Sequence, residues 1–586
     1  MLAVFLTSCS DGSDSDESAD ASSTFEHPAP GRAQPSPPIP RPSTEHPVSP
    51  QISPVTEADF EAGGSLHAWE VNEATASKPH TITLKGSVIP FTATAGYLIA
   101  SEPKNGTGLA SALARPEAAI SYTAYTRDDQ SADARPVTFV FNGGPGGSAA
   151  DLDLGFLGPV QEDGPPPSDE VIAPLKDNPN TILDKTDLVF VDPVGTGYSL
   201  AIWPNDNKDF WGADSDAKVL RDFITRYVNV YNRQNSPKYI YGVSYGGFRA
   251  PIIGRLLLES GTGQYTTFTT SKNVLSGLVL NSPILDQNSD CYYWYASCGG
   301  AVPTYAMVAD YHKKSTARAG QETELFLTRA RTFGAEFTFL YDHVFKGTDA
   351  KVPDRKSWEE YIKKPDGVAF LNKLFEFTGI GKKYELGESS SNNPWIATPN
   401  MDPVDFRQKF APEKGQLLLG DGRFILKPQT EEPAFDRTND YYAWQKDYHA
   451  KFIGYRTQSP YVGFNGKIID SWDYKPNPEA ISNTERFRTS IPDMTFSMTL
   501  NPNLKVLVQH GYYDLNTPFR QSEIDIYNVE LTAKVPVKVY EGGHGVSPYR
   551  TGGYDKLMRD LGAFYDQPST TMLAASNGHV FGRVNP

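Results

Sequence analysis

Tyr239-Ile240-Tyr241-Gly242-Val243-Ser244-Tyr245-Gly246-Gly247-Phe248 passes from an apolar run through a G-x-S-x-G turn into a helix-forming stretch. That pattern predicts a nucleophile elbow, in which a tight strand-to-helix turn lifts a serine hydroxyl above the edge of a parallel sheet. Gly242 and Gly246 suit such a turn because neighbouring backbone comes close and a side chain would clash. A single G-x-S-x-G is a weak signal. Its value here comes from two strand-like runs downstream and one upstream.

Leu504 to Val508 is a second strand-like run, and it leads to Gly511-Tyr512-Tyr513-Asp514. A third, Val535 to Tyr540, ends in Glu541-Gly542-Gly543-His544. Serine, aspartate and histidine each come after a predicted strand, in the chain order of α/β-hydrolases. Ligand sites in such folds lie at the carboxyl ends of the parallel strands. The expected roles are Ser244 as nucleophile, His544 as general base and Asp514 as the acid that orients the imidazole. His510 is a rival histidine, but it shares a strand end with Asp514.

Val137 to Phe141 runs into Asn142-Gly143-Gly144-Pro145-Gly146-Gly147-Ser148. A glycine-rich turn after a strand leaves backbone N–H groups free to meet a developing oxyanion. The expected pair is the N–H of Gly144 with that of Tyr245, the residue after the nucleophile. Neither G-K-[ST] nor G-x-G-x-x-G spacing accompanies the turn, which argues against nucleotide binding.

Together with Asn178-Pro179-Asn180 and Asp192-Pro193-Val194-Gly195-Thr196-Gly197-Tyr198-Ser199, these motifs resemble the serine carboxypeptidase family, closest to its bacterial branch, over roughly residues 85 to 565. The resemblance implies an α/β-hydrolase fold with a mostly parallel central sheet, helices on both faces and an inserted, largely helical cap. It also implies removal of C-terminal residues from peptides, with acyltransferases among the relatives. The family holds the substrate carboxylate with an asparagine and two glutamic acids. Here Asn142 matches the asparagine, whereas Val243 and Phe156 stand where the glutamic acids would be, and Val140 replaces a tryptophan. Gly545 stands where a methionine often comes after the histidine. These departures keep a small-ester hydrolase or acyltransferase open as the alternative. Arg249, five residues after Ser244, is a candidate replacement for the lost carboxylate partners, against a blander reading as a cation that pairs on the elbow helix or faces the sheet edge.

The chain has 586 residues and a net charge of −16, from 70 acidic against 54 basic side chains. That balance disfavours nucleic acid or an anionic membrane as partner. The expected partner is a peptide or small acyl substrate, with neither cofactor nor metal. Oligomeric state is not legible.

Met1 to Cys9 ends in Leu6-Thr7-Ser8-Cys9, which resembles a lipoprotein lipobox with Cys9 as the lipidated residue. The expectation is a truncated signal at 1–9 and an exported, periplasmic or envelope-attached protein whose membrane contact is that anchor. Residues 10–58 are Ser/Asp/Pro-rich and read as a tether. The core is expected at 59–285 and 490–566, the cap at 286–489 and a tail at 567–586. A stretch as long as 286–489 cannot be a loop in a compact domain. In an oxidising compartment Cys291 and Cys298 are expected to pair, since two sulfurs alone do not make a zinc site.

Overall fold

Lys238–Val243 is a buried strand whose side chains divide between two hydrophobic cores. Tyr239, Tyr241 and Val243 enter one core and Ile240 the other, as the two-residue period of a strand requires. The computed structural model describes residues 55–102, 115–132, 135–163, 174–261, 274–291, 296–345, 354–381, 394–427, 438–476, 487–546 and 552–567. Cys9, most of the expected tether and the tail beyond residue 567 lie outside the described residues.

The strands of the main sheet are β1 (Ala76–Leu84), β2 (Ser87–Glu102), β3 (Arg115–Arg127), β4 (Val137–Phe141), β5 (Asp187–Val191), β6 (Leu200–Ala201), β7 (Lys238–Val243), β8 (Gly277–Asn281), β9 (Lys505–Gly511) and β10 (Val537–Tyr540). They lie in the order β1-β2-β3-β5-β4-β7-β8-β9-β10, with β6 paired to β3. The first strands are antiparallel. From β5 to β10 every pairing is parallel. The central parallel strands are buried on both faces, hence their nearly continuous apolar sequences. The opening strands are much longer than their most apolar segments, Thr81 to Leu84 and Tyr97 to Ala100. In β1, for example, exposed residues alternate with buried ones and break the apolar run.

Helices cover both faces. Packing on one face are α1 (Ala213–Val230), α2 (Tyr245–Ser260), Ile491 and Met494 of α7 (Ile491–Leu500), and Ile526 of α8 (Phe519–Asn528). The other face carries Trp444 and Tyr448 of α6 (Thr438–Tyr448) and the apolar stripe Tyr554, Leu557, Leu561 and Phe564 of α9 (Tyr554–Asp566). In α1, Leu220, Phe223, Ile224, Tyr227 and Val228 are all buried, the helical periodicity expected of a sheet-packing helix. Each such apolar side chain contributes about 1.5–3 kcal/mol, which makes the strand ends a firm base for a site.

The segment between β8 and β9 contains α3 (Val302–Tyr311), α4 (Thr323–Leu340), α5 (Pro365–Thr378) and α6, with a small hairpin formed by Gln416–Leu418 and Asp421–Leu426. The first three helices enclose a third core, to which Tyr513, Leu515 and Phe519 of the main domain contribute. Val55 and Phe60 are buried in the first core. No described helix is long and apolar enough to cross a membrane.

Candidate active site

At the end of β7, Ser244 has φ 57° and ψ −124°, a conformation that L-residues rarely adopt. It is held by its N–H, which donates to the carbonyl of Asn281 at 2.8 Å, and by its carbonyl, which accepts from Gly247 at 2.8 Å. A Cβ on Gly242 would lie 2.1 Å from the carbonyl oxygen of Gly246, and one on Gly246 would lie 2.5 Å from that of Phe141. The elbow glycines are thus required by close approach of backbone, while the serine takes the unusual torsions. Tyr245 opens α2, where backbone N–H groups lack intrahelical acceptors.

Asp514 lies just past β9 and His544 just past β10. The imidazole Nδ1 donates to Asp514 Oδ2 at 2.9 Å, which leaves Nε2 as the acceptor. Asp514 is fully buried. Its Oδ1 accepts the N–H groups of Asn516 and Thr517, both at 2.9 Å, and its Oδ2 also accepts the Thr517 hydroxyl at 2.6 Å. Burial alone would raise this carboxyl, but His544 and the Thr517 donors outweigh it and hold it below its ordinary value. Burial would likewise lower His544. The Asp514 charge and hydrogen bond, aided by Asp151, instead raise it. Ser244 and His544 are half-buried and Gly144 is exposed, within otherwise buried surroundings. His510 is not part of this arrangement. It is buried, bonds Ser522 Oγ at 2.9 Å, and burial lowers it to about 4.

The oxyanion-loop candidate lies against the elbow. A Cβ on Gly143 would stand 2.5 Å from Ser244 Cβ and 2.9 Å from the Tyr245 nitrogen. Gly144 is next, at φ 107°. Among the described residues there is no cluster of His, Cys, Asp and Glu able to hold a metal ion.

The serine carboxypeptidase family matches residues 89–554. The chain belongs to that family. It is 27% identical over 173 residues to serine carboxypeptidase-like 21 of Arabidopsis thaliana, covering 28% of this chain and 33% of the relative. With the pheromone-processing carboxypeptidase KEX1 of Leptosphaeria maculans it shares 31% identity over 157 residues, 26% of this chain and 23% of the relative. These matches span no more than a third of either relative's length. Among solved structures, Kex1(delta)p, a prohormone-processing carboxypeptidase from Saccharomyces cerevisiae, is 15% identical with a TM-score of 0.48, covering 81% of this chain and 91% of that one.

Three residues expected at the substrate are otherwise engaged in this family member. Arg249 is buried on α2, pairs with Asp216 Oδ2 at 2.8 Å and donates to the Asn142 carbonyl at 2.9 Å. Its charge braces the glycine-rich loop from within, which corrects its reading as a carboxylate receptor. Phe156 is also buried, packed against the rings of Tyr241 and Tyr554, so it belongs to the core and not to a binding surface. Asn142 accepts the Gly143 N–H at 2.8 Å and gives its amide hydrogens to the Ser148 carbonyl and Asp151 Oδ1, both at 2.7 Å. Val243 is buried, with its Cγ1 3.6 Å from the position of a Cβ on Gly545. Cys291 and Cys298 are joined by a disulfide at the start of the inserted segment.

Asn281 and Ser282 carry no sequence signal of their own. Asn281 Nδ2 bonds the Gly545 carbonyl at 3.0 Å, and Ser282 Oγ accepts the Gly545 N–H at 3.0 Å. Both residues lie at the end of β8 and fix the position of the histidine loop. Asp192, in the Asp-Pro-Val-Gly motif, accepts Ser121 Oγ at 2.8 Å, the Ala149 N–H at 2.9 Å and Tyr461 OH at 3.1 Å. The motif therefore anchors the stretch immediately after the glycine-rich loop.

Proposed function

We propose that this family member is a serine-type carboxypeptidase acting through an acyl-enzyme. Ser244 Oγ attacks the scissile carbonyl as His544 Nε2 takes its proton. Asp514 fixes the tautomer and stabilises the imidazolium. The N–H groups of Gly144 and Tyr245 receive the developing oxyanion. His544 then protonates the departing amine, and water releases the acyl group by the reverse sequence of proton transfers. The single observation that carries this reading is the 2.9 Å Nδ1–Oδ2 bond between His544 and Asp514, across the strand ends from an elbow serine.

The test is release of the C-terminal amino acid from N-blocked peptides, with labelling by an organophosphonate. Ser244→Ala should abolish both while leaving the fold intact. Equal labelling of mutant and wild type would refute the assignment. Turnover of acyl esters without peptide cleavage would favour an esterase or acyltransferase.

The inserted segment, 286–489, is read as a cap over this site, by its position between β8 and β9 and its own core. The protein is further proposed to be an exported lipoprotein held at Cys9. The Leu-Thr-Ser-Cys run and the Cys291–Cys298 disulfide, a feature of oxidising compartments, support this. Changing Cys9 to alanine should release the protein from membranes, and unchanged membrane partition would sink the anchor.

A further inference from the structure

Trp472 comes from the segment inserted between β8 and β9, yet its indole N–H donates at 2.9 Å to the hydroxyl of Tyr245, the residue after the elbow serine. An indole nitrogen can only donate, so the phenol oxygen accepts. The two rings meet edge to face with centroids 5.1 Å apart, an attractive arrangement for aromatic pairs. Trp472 is itself fixed on both sides. Upstream, the Asn465 N–H donates to the Gly146 carbonyl at 2.9 Å. Downstream, the backbone of Asp473 donates to the Trp211 carbonyl at 2.9 Å and accepts the Ala213 N–H at 3.1 Å.

A second contact holds the same tyrosine. The Arg249 guanidinium lies over its ring, 5.2 Å from the centroid, and donates at 2.9 Å to the carbonyl of Asn142, where the glycine-rich loop begins. Tyr245 is thus held at its hydroxyl by the insertion and at its ring face by a cation tied to that loop. The residue before it shows why this matters. The ψ of −124° at Ser244 sets the plane of the Ser244–Tyr245 peptide, and with it the direction of the Tyr245 N–H. Torsions this unusual persist only where the surroundings over-determine them. The carbonyl side of that peptide is held by the Gly247 N–H at 2.8 Å. On the nitrogen side, Tyr245 is the first residue of α2 and its N–H has no intrahelical acceptor, so the hold comes through its side chain.

We propose that Trp472 is a positioning residue for the reaction: through the Tyr245 hydroxyl it keeps the Tyr245 N–H aimed at the developing oxyanion. The proposal rests on the acyl-enzyme reading, in which that N–H and the one of Gly144 receive the charge. Because Arg249 touches both the Tyr245 ring and the Asn142 carbonyl, the same brace sets the spacing between the two donors. Its effect falls on the transition state more than on the bound substrate, since a hydrogen bond to the carbonyl oxygen strengthens as negative charge develops there. The insertion therefore contributes to turnover through a side chain that never touches the reacting atoms.

The experiment compares wild type, Trp472→Phe, Tyr245→Phe and the double variant in cleavage of an N-blocked peptide, and in inhibition by an N-blocked peptide aldehyde and by the matching alcohol. The aldehyde forms a tetrahedral adduct with the serine and draws on the oxyanion donors, whereas the alcohol forms no adduct. Both substitutions keep an aromatic ring and remove one end of the hydrogen bond. Each should lower kcat on the order of tenfold with little change in KM. Each should weaken the aldehyde by a similar factor and leave the alcohol bound as in wild type. The two residues act as one unit, so the double variant should lose no more than the worse single variant. Wild-type kcat in either single variant, additive losses in the double, or equal weakening of aldehyde and alcohol would overturn the positioning role while leaving the acyl-enzyme mechanism standing. A wild type that binds the aldehyde no better than the alcohol would overturn the acyl-enzyme reading, and this proposal with it.

Discussion

The backbone N–H of His544 donates to the carbonyl of Gly420 at 2.6 Å. Gly420 belongs to the segment inserted between β8 and β9, so the histidine loop is held from above as well as by the sheet. The aspartate loop is clasped in the same way: Gly422 N–H donates to the Tyr513 carbonyl at 2.8 Å, and Leu515 N–H to that of Leu419 at 3.1 Å. At the glycine-rich loop, Ser148 N–H donates to the Gly463 carbonyl at 2.8 Å and Asn465 N–H to that of Gly146 at 2.9 Å. Loops from three strand ends thus take part of their geometry from the insertion.

Gly543→Ala tests that dependence. A Cβ there would lie 2.4 Å from the Gly420 carbonyl oxygen, so the histidine loop or the hairpin must shift. A displacement of about 1 Å at a catalytic group costs on the order of 10²-fold. We expect kcat to fall by that order with little change in KM. Wild-type kcat in a folded variant would show that the contact does not position His544.

Asp514→Asn should lower kcat by about 10⁴-fold, because an amide can hold the imidazole in the wrong tautomer. Thr517→Val should have a much smaller effect, on the order of tenfold, since Asp514 keeps both backbone N–H donors at 2.9 Å. Steady-state kinetics of the two variants decides this. Equal losses would mean that the threonine hydroxyl, at 3.3 Å from His544 Nδ1, shares the orienting role.

The pH profile for cleavage of an N-blocked peptide should rise through an apparent pKa above the ordinary 6.5 of histidine, because Asp514 and Asp151 together overcome the burial that would lower His544. Asp151→Asn removes one of those charges and should move this limb to lower pH. A limb that stays in place would show that Asp151 does not influence the base.

Arg249→Met should destabilise the protein and not merely alter specificity. Burial already raises Asp216 to about 6, with Arg249 opposing that rise. Removing one member of a buried pair typically costs about 3–5 kcal/mol. Denaturant unfolding gives the measurement; a variant as stable as wild type would contradict the bracing role.

Thermal stability should increase from pH 8 down to about pH 5. Burial raises Asp153 to about 7, Asp192 and Asp216 to about 6 and Asp525 to about 8. Each binds its proton more tightly in the folded state than in the unfolded chain, at about 3.9. The stability this provides is fully present below the unfolded value and is lost as pH rises through the folded ones. Buried His449, lowered to about 3, and His510, lowered to about 4, oppose the trend below about pH 6.5, where their unfolded imidazoles take up protons. Two imidazoles do not offset four carboxyls in that range. Calorimetry showing a higher Tm at pH 8 than at pH 5 would contradict this balance.

The linear sequence by itself determined the sheet and the order of the site motifs. Buried parallel strands must be continuously apolar, and an elbow needs glycines where backbone meets backbone, so Val137 to Phe141, Lys238 to Val243 and the motifs after them were readable. The long antiparallel strands were legible only in part, because exposed residues interrupt their apolar pattern. What only the tertiary structure decided was the use of each polar side chain. Arg249 could face the cleft or the interior, and its pairing with Asp216 across helices is invisible along the chain. Phe156 could line a pocket or fill a core. The contacts of Gly420 with His544 and of Gly463 with Ser148 join residues far apart in sequence. Local propensity encodes which segments become strands and turns, whereas burial and charge at a site are sums over neighbours that only folding brings together.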